Sequence, residues 1–447
     1  MSALYHAALY HPLDHAPSLW AETAGADPIG AGPLEGETAC EVAVIGGGYS
    51  GLSAALHLAR FGIAVRLLES GPIGWGASGR NGGFCSLGGH KLGYQAMRAR
   101  FGAEQTRRFF SVQQEAVALV AALARDEGFD IDAVGQGEYI VAHGPRRMAA
   151  LAAARELYRD LLGLPTRLLG RAELAETACH GPGIHGALLL PIGFGLHPLK
   201  YARGLAGAAE AAGALLHPRS PVVAWRREGG RHRLITPGGS VLARMVAVAT
   251  NGYTPERLHR GLHGRTLPAL SNIVVTRPLS AEERARHGFT THTPLYDTRR
   301  LLYYFRMLPD GRFLFGSRGG LRGAPSAASA MHAWMTARLH AQFPAWREIE
   351  ITHYWRGLVC LTRDLVAHVG QLADEPTIYY ALGYHGTGVA MAGWCGRAMA
   401  RLIAGAAGAA DLPAPLAAPL ARYPWPGLRR CYLAAAYGGF KLADGWR

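Results

Sequence analysis

Lysine is almost absent from this chain. Lys91, Lys200 and Lys441 are the only lysines among 46 basic residues, and the rest are arginines. Acidic residues are also few, 32 in all, so the formal charge is +14. A nucleic-acid binder would gather such charge into a patch or stripe. Here the arginines are dispersed, no basic helix stripe forms and no nucleic-acid motif appears, so nucleic acid is not an expected partner. No uncharged apolar run reaches about 18 residues, so no membrane span is expected. The opening MSALYHAALYHPLDH has no basic stretch followed by an apolar one, so no signal peptide is expected. The six cysteines show no C-x-x-C and no paired spacing. That pattern suits free thiols in a reducing cytoplasm. Twenty histidines invite a metal reading, yet no H-E-x-x-H accompanies them, so no metal site is expected. A G-x-S-x-G nucleophile elbow is also missing.

What is present is concentrated in residues 42–69, VAVIGGGYSGLSAALHLARFGIAVRLLE. Val42 to Ile45 reads as a buried parallel strand. Gly46, Gly48 and Gly51 follow as G-x-G-x-x-G, with Tyr49 and Ser50 between the last two. Leu52, Ala55, Leu56 and Ala59 stand at helical spacing, and Gly62 sits where a helix would stop. A second strand, Ile63 to Leu68, ends in Glu69 and Ser70, with Glu69 18 residues beyond the last glycine. The three glycines serve a tight turn, close approach to a pyrophosphate and helix–strand packing. The helix N-terminus offers N–H groups and a positive dipole end to phosphates. Glu69 suits ribose hydroxyls and repels a 2′-phosphate, so FAD or NAD is expected rather than NADP.

Other segments narrow the choice. GPIGWGASGRNGGF (71–84) follows the second strand, a glycine run able to pass close under a large ligand while donating hydrogen bonds. Met245 to Ala249 reads as another buried strand ending in Thr250, Asn251 and Gly252. Ile378 to Leu382 reads as a strand leading into Gly383, Tyr384, His385, Gly386, Thr387, Gly388 and Val389, a second glycine turn before a small-residue helix. Gly181-Pro182-Gly183-Ile184-His185-Gly186 also spells G-x-G-x-x-G, but with no strand before it and Pro182 inside it reads as a turn. Without a second nucleotide site, an NAD(P)H-dependent reductase is not expected.

At these residues the chain resembles the FAD-dependent amine and amino-acid oxidoreductases of the D-amino-acid oxidase superfamily, and within it the γ-glutamylputrescine oxidoreductase type. The likeness rests on Ser18-Leu19-Trp20-Ala21, the Rossmann segment, Gly76-Ala77-Ser78-Gly79-Arg80-Asn81-Gly82-Gly83, Ala249 to Tyr253, Trp355-Arg356-Gly357 with Thr362 and Asp364, and Gly383 to Val389. It implies that the bound dinucleotide is FAD, contacted by these segments and, through backbone, by Val222. It also implies oxidation of a C–N bond by hydride transfer to flavin N5, hydrolysis of the imine, and reoxidation by O2 to H2O2. In the sarcosine-oxidase relatives a cysteine near the place of Cys360 bonds covalently to the flavin. Non-covalent FAD is the expectation here, with a link through Cys360 as the alternative. Those relatives also carry a lysine over the flavin on a substrate-domain strand. No lysine occurs here between Lys200 and Lys441, so another cation or another electron acceptor is implied.

The expected fold class is α/β with an α+β second domain: a Rossmann-type FAD-binding domain interleaved with an antiparallel-sheet substrate domain. Residues 1–37 read as an arm. Residues 38–92, 196–256 and 353–412 read as the discontinuous FAD-binding domain, 93–195 and 257–352 as the substrate domain, and 413–447 as a tail. Within these, Met97 to Glu127, Arg146 to Leu162 and Arg171 to Thr177 have helical patterns. Asn272 to Val275, Leu301 to Met307 and Arg312 to Gly316 read as strands, the last two joined at Pro309-Asp310-Gly311. On the middle strand Tyr304 and Arg306 share one face, and they are expected to meet a substrate ammonium and carboxylate. Tyr384 and His385 are expected beside the flavin, with Trp355 walling the same cavity. Three alternatives remain open on these residues: a dehydrogenase feeding a quinone or carrier, a biosynthetic tailoring amine oxidase, and a non-catalytic flavoprotein.

Overall fold

The computed structural model describes residues 4–12, 15–26 and 32–444. Part of the expected arm and the end of the expected tail lie outside them. The rest builds two large sheets. Gly36–Ile45 is central to the first. It pairs in parallel with Val65–Leu68 on one side and with Gly239–Val248 on the other. Leu215–His217 and Glu375–Leu382 extend the parallel set, and His368–Leu372 closes one edge antiparallel. Val42 to Ile45 are buried on both faces of this strand, which explains their unbroken apolar run. Val42 and Val44 meet the helix residues Leu52, Leu56 and Leu205 on one face. Ala43 and Ile45 join Val246, Val248 and Tyr380 on the other. The helices on the first face are Tyr49–Arg60, Pro198–Ala211 and Val389–Ile403.

The second sheet runs in the order Ile351–Leu361, Leu267–Pro278, Arg312–Arg318, Tyr303–Met307, Leu295–Asp297, Glu138–Val141, Gly186–Leu190, Arg167–Gly170. Its pairs are antiparallel except Leu295–Asp297 with Glu138–Val141. One face carries an aromatic core of Phe289, Phe305, Phe313, Phe315, Phe343 and Trp346. The expected α/β body with an antiparallel second body is therefore what the chain forms.

Two boundaries differ from expectation. Ile351–Leu361 pairs along its length with Leu267–Pro278, so Trp355 and Cys360 belong to the second sheet. The chain rejoins the first sheet only at His368, not near residue 353. No turn-forming residue other than Gly357 interrupts Tyr354 to Leu361, so the strand runs on to Leu361. The long helix Tyr94–Asp126 starts earlier than Met97 and is broken at Gly102, where φ is +81°. The tail forms the helix Arg429–Ala443. Its Leu433 and Tyr437 pack on Leu267, Ala269 and Leu301, and Arg429 reaches Glu256 at 2.6 Å. Gly181 to His185 is a turn leading into Gly186–Leu190, as expected.

A short helix, Leu19–Thr23, is wedged where the two bodies meet. Ser18 caps it by accepting from the Ala21 amide. Trp20 donates from Nε1 to the Asn81 carbonyl at 2.8 Å and packs edge-on against Trp355 and His197.

Candidate active site

The glycine fingerprint is held by contact. Gly46 has φ +112°, and a Cβ there would stand 2.9 Å from the Ala249 carbonyl oxygen. A Cβ on Gly51 would stand 1.8 Å from the Gly46 oxygen, so helix and turn touch backbone to backbone. Ser78 Oγ accepts from the Tyr49 amide at 3.0 Å, tying the glycine-rich loop to the helix start. Glu69 accepts from the Gly47 and Gly71 amides at 2.5 and 3.0 Å and from Ser70 Oγ at 2.9 Å. Burial raises its carboxyl above the usual range against these donors.

These groups open on a cavity of about 550 Å³. The fingerprint gives it Gly46, Gly48, Tyr49 and Ser50, and the second strand gives Glu69 and Ser70. The glycine loop adds Gly76, Ala77, Ser78 and Asn81; Val222, Thr250 and Asn251 lie along one side. Tyr384, Gly386, Gly388, Val389 and Cys360 complete the wall. The helices starting at Tyr49 and Val389 both begin here, with Gly48 and Gly388 as N-caps that supply no side-chain acceptor.

Seven expected cofactor residues lie outside this cavity. Gly51, Gly83, Gly252 and Gly383 serve packing: Gly83 passes under the Leu196 carbonyl, Gly252 under Leu358, and Gly383 donates to Asn251 Oδ1 at 2.9 Å. Arg80 stacks over Trp75 at 4.6 Å and donates from Nε to the Trp75 carbonyl. Arg80, Gly82 and Thr387 line a second cavity instead.

That second cavity holds about 400 Å³ and shares Ala77, Asn81, Val359, Gly386 and Val389 with the first. Its remaining polar wall includes Tyr304, Ser271, Arg318, Lys91, Glu138, Tyr158 and Tyr296. Tyr304 and Ser271 hydroxyls bond at 2.9 Å. Arg318 donates to the His385 carbonyl, and burial lowers its pKa. Lys91 is exposed and lines this cavity. Desolvation pulls Lys91 down to about 7 and pushes Glu138 up to about 8.

Of the five residues expected to act on substrate, Tyr304 alone lines this second space. Tyr384 lines the first, its hydroxyl 2.6 Å from Ser50 Oγ. His385, Trp355 and Arg306 line neither cavity. The His385 ring turns to Thr362 Oγ1 at 3.0 Å, and desolvation lowers its pKa to about 3, so it stays neutral. Trp355 donates to the Arg80 carbonyl at 2.9 Å. Arg306 donates to the Gly82 and Leu196 carbonyls at 2.9 and 2.6 Å, joining the second sheet to the glycine loop. Alternation put Arg306 on the correct face, but one pair further along that face is the seam rather than the cavity.

Arg318, Lys91, Glu138 and Tyr158 were not among the expected site residues. Arg318 was within reach of pattern reasoning. Tyr304 pairs with Gly316 across the hairpin, which places Arg318 two residues along the same face. Lys91 carried another signal, as the first of only three lysines and a close follower of the glycine loop. Glu138 and Tyr158 left none, because their approach depends on how a strand and a helix fold over the cavity.

A family model described as FAD dependent oxidoreductase matches residues 41–402. The chain belongs to this FAD-dependent oxidoreductase family. Among curated relatives it is 31% identical to the γ-glutamylputrescine oxidoreductase of Escherichia coli, over 91% of this chain and 93% of that one. It is 32% identical to the "Probable oxidoreductase OrdL" of Haemophilus influenzae, over 83% and 85%. The crystal structure of glycine oxidase from Geobacillus kaustophilus superposes with a TM-score of 0.68 at 23% identity, covering 82% of this chain and 94% of that one. FAD is accordingly the cofactor of this oxidoreductase, and the first cavity suits it. It offers two helix N-termini to a diphosphate, an acid at one end, and a buried Trp75 Nε1 with no hydrogen-bond partner among the described residues. No helix among the described residues is long and apolar enough to cross a membrane, and no cluster of metal-ligating side chains occurs there.

Proposed function

We propose that the protein oxidises a carbon–nitrogen bond of an amine or amino-acid-derived substrate, with FAD in the first cavity and the amine in the second. One observation carries this reading: the two cavities meet at Ala77, Asn81, Val359, Gly386 and Val389, so ligands filling them would touch there. A γ-glutamylated diamine is the favoured substrate class, supported by the name of the Escherichia coli relative.

In this reading Gly46, Gly48 and Tyr49 hold the diphosphate by backbone, and Glu69 the ribose. Val222, Asn81, Cys360, Gly386 and Val389 line the same cavity, where Val222 would meet the adenine and the other four the flavin ring. FAD, when bound, supplies the two-electron oxidation of the C–N bond. The protein's part is to present a neutral amine. Arg318 is a positive group at the wall the two cavities share, and with desolvation it disfavours an ammonium beside it. The Tyr304 ring shapes the wall, and its bond to Ser271 fixes its hydroxyl. Water then hydrolyses the released imine to a carbonyl compound and an amine or ammonia. O2 is the favoured electron acceptor, and a quinone or carrier the alternative. Burial raises the Cys360 thiol to about 12, which leaves little thiolate to attack a flavin and supports non-covalent binding.

The test is spectroscopic. Purified protein is expected to show oxidised-flavin bands that move to the supernatant on acid precipitation. Anaerobic γ-glutamylputrescine, sarcosine, glycine and D-amino acids are added in turn, and one is expected to bleach the bands. A flavin that stays oxidised with every amine would overturn the reading. Peroxide formed in air, against turnover only with an added dye, separates oxidase from dehydrogenase.

A further inference from the structure

The wall of the second cavity carries both basic and acidic side chains. At the wall it shares with the first stand Gly386, Val389 and, next to them, Arg318, which donates to the His385 carbonyl. Away from that wall stand Glu138, on a strand of the second sheet, and Tyr158, on the helix Arg147–Leu162 that covers it. Neither lines the first cavity. Lys91 also lines the second cavity and not the first. Lys91 and Glu138, a basic and an acidic side chain, line one space, yet no ion pair joins them within 4.0 Å. The Lys91 ammonium makes no hydrogen bond to any described side chain. Ser86 lines the same cavity as Glu138.

A basic and an acidic side chain that line one cavity without meeting leave room between them for a ligand that pairs with both. The gap calls for a ligand with a negative and a positive group one bond apart from a common carbon.

We propose that Lys91 and Glu138 form a subsite for the zwitterionic α-amino-acid head of the substrate. Lys91 receives the carboxylate and Glu138 the ammonium, with the oxidisable amine at the other end of the molecule, by the shared wall. The subsite rests on the amine-oxidation reading above and names what the substrate carries at its distal end. A γ-glutamyl amide of a diamine has this form: an α-amino acid at one end, a primary amine at the other.

Three compounds test it on the full-length holoenzyme: γ-glutamylputrescine, its analogue lacking the α-carboxylate, and its analogue lacking the α-amino group. With the wild-type enzyme, each deletion is expected to lower kcat/KM at least about tenfold, the loss of one charge-assisted contact. Lys91→Met is expected to shrink the carboxylate discrimination toward unity while keeping the ammonium discrimination. Glu138→Gln is expected to do the reverse. Equal kcat/KM for all three compounds with wild-type enzyme would overturn the subsite, even if both variants failed to fold. So would variants that change all three rates in parallel. If instead no amine of any kind reduces the flavin, the amine-oxidation reading itself has failed, a result distinct from equal oxidation of the three.

Discussion

The two cavities are built by opposite means. The first draws much of its wall from short runs that follow strand ends, three of them carrying or flanking the glycine turns: 46–50, 69–81, 249–251 and 384–389. The second is lined by side chains on separate elements, Lys91 after a loop, Glu138 and Tyr304 on strands, Tyr158 on a helix. Recognition by backbone requires particular residue types at fixed spacing, because only glycine permits the close approach. Such a site leaves a motif. Recognition by side chains requires only that a few groups converge, and convergence is a property of packing.

The sharpest way to break this contrast is at the first cavity. Gly51→Ala puts a Cβ within 1.8 Å of the Gly46 oxygen. Backbone must move, at an expected cost above about 3 kcal/mol. Colourless or insoluble protein is expected. A flavin-loaded variant with wild-type melting temperature would show that the helix–turn contact is dispensable.

Between the cavities, Arg306→Met removes the donors to the Gly82 and Leu196 carbonyls. Relief of the desolvated guanidinium, which burial lowers to about 9, offsets part of the loss. A net cost of roughly 1–3 kcal/mol is expected from urea midpoints. Wild-type substrate discrimination in the surviving fraction would mark Arg306 as a seam residue rather than a substrate ligand.

In the second cavity, pH provides the probe. Glu138 is raised from 4.5 to about 8 in the folded state, so the folded protein holds the proton longer than the unfolded chain. Its contribution to stability falls as pH climbs from 4.5 to 8 and is lowest above 8. Lys91, lowered from 10.5 to about 7, has the opposite slope over 7 to 10.5. Glu138→Gln is therefore expected to melt higher than wild type by a margin that grows from pH 4.5 to 8. A margin independent of pH would show that Glu138 is not desolvated. The smallest effect is expected at Cys360→Ala, a small buried filler replaced by another. It should keep its flavin and melt within a few degrees of wild type by calorimetry.

The same contrast explains what could be read from the chain alone. The first strand, its helix, Glu69 and both glycine turns were legible because local pattern and function coincide there. Trp355 and Cys360 were assigned to the wrong sheet, since a strand's partner is not written in the strand. His385 looked catalytic by its place in a glycine turn. Its ring faces Thr362, behind the wall, because the residue sits at φ +54° and points away from the cavities. Arg306 stood in for Arg318, which lies on the same face beyond the Tyr304–Gly316 pair. Periodicity gives the face of a strand, and only the packed structure says which stretch of that face is open.

The chain passes from the first sheet to the second and back twice, through 36–68, 138–190, 215–248, 267–361 and 368–382. A molecule stitched in this way has no seam along which it can be cut. Neither half is a continuous segment that could be exchanged for another, as beads on a string can be. New substrates must then be reached by changing single residues around a fixed cavity, and a handful of positions such as 91 and 138 carries that freedom for the whole fold.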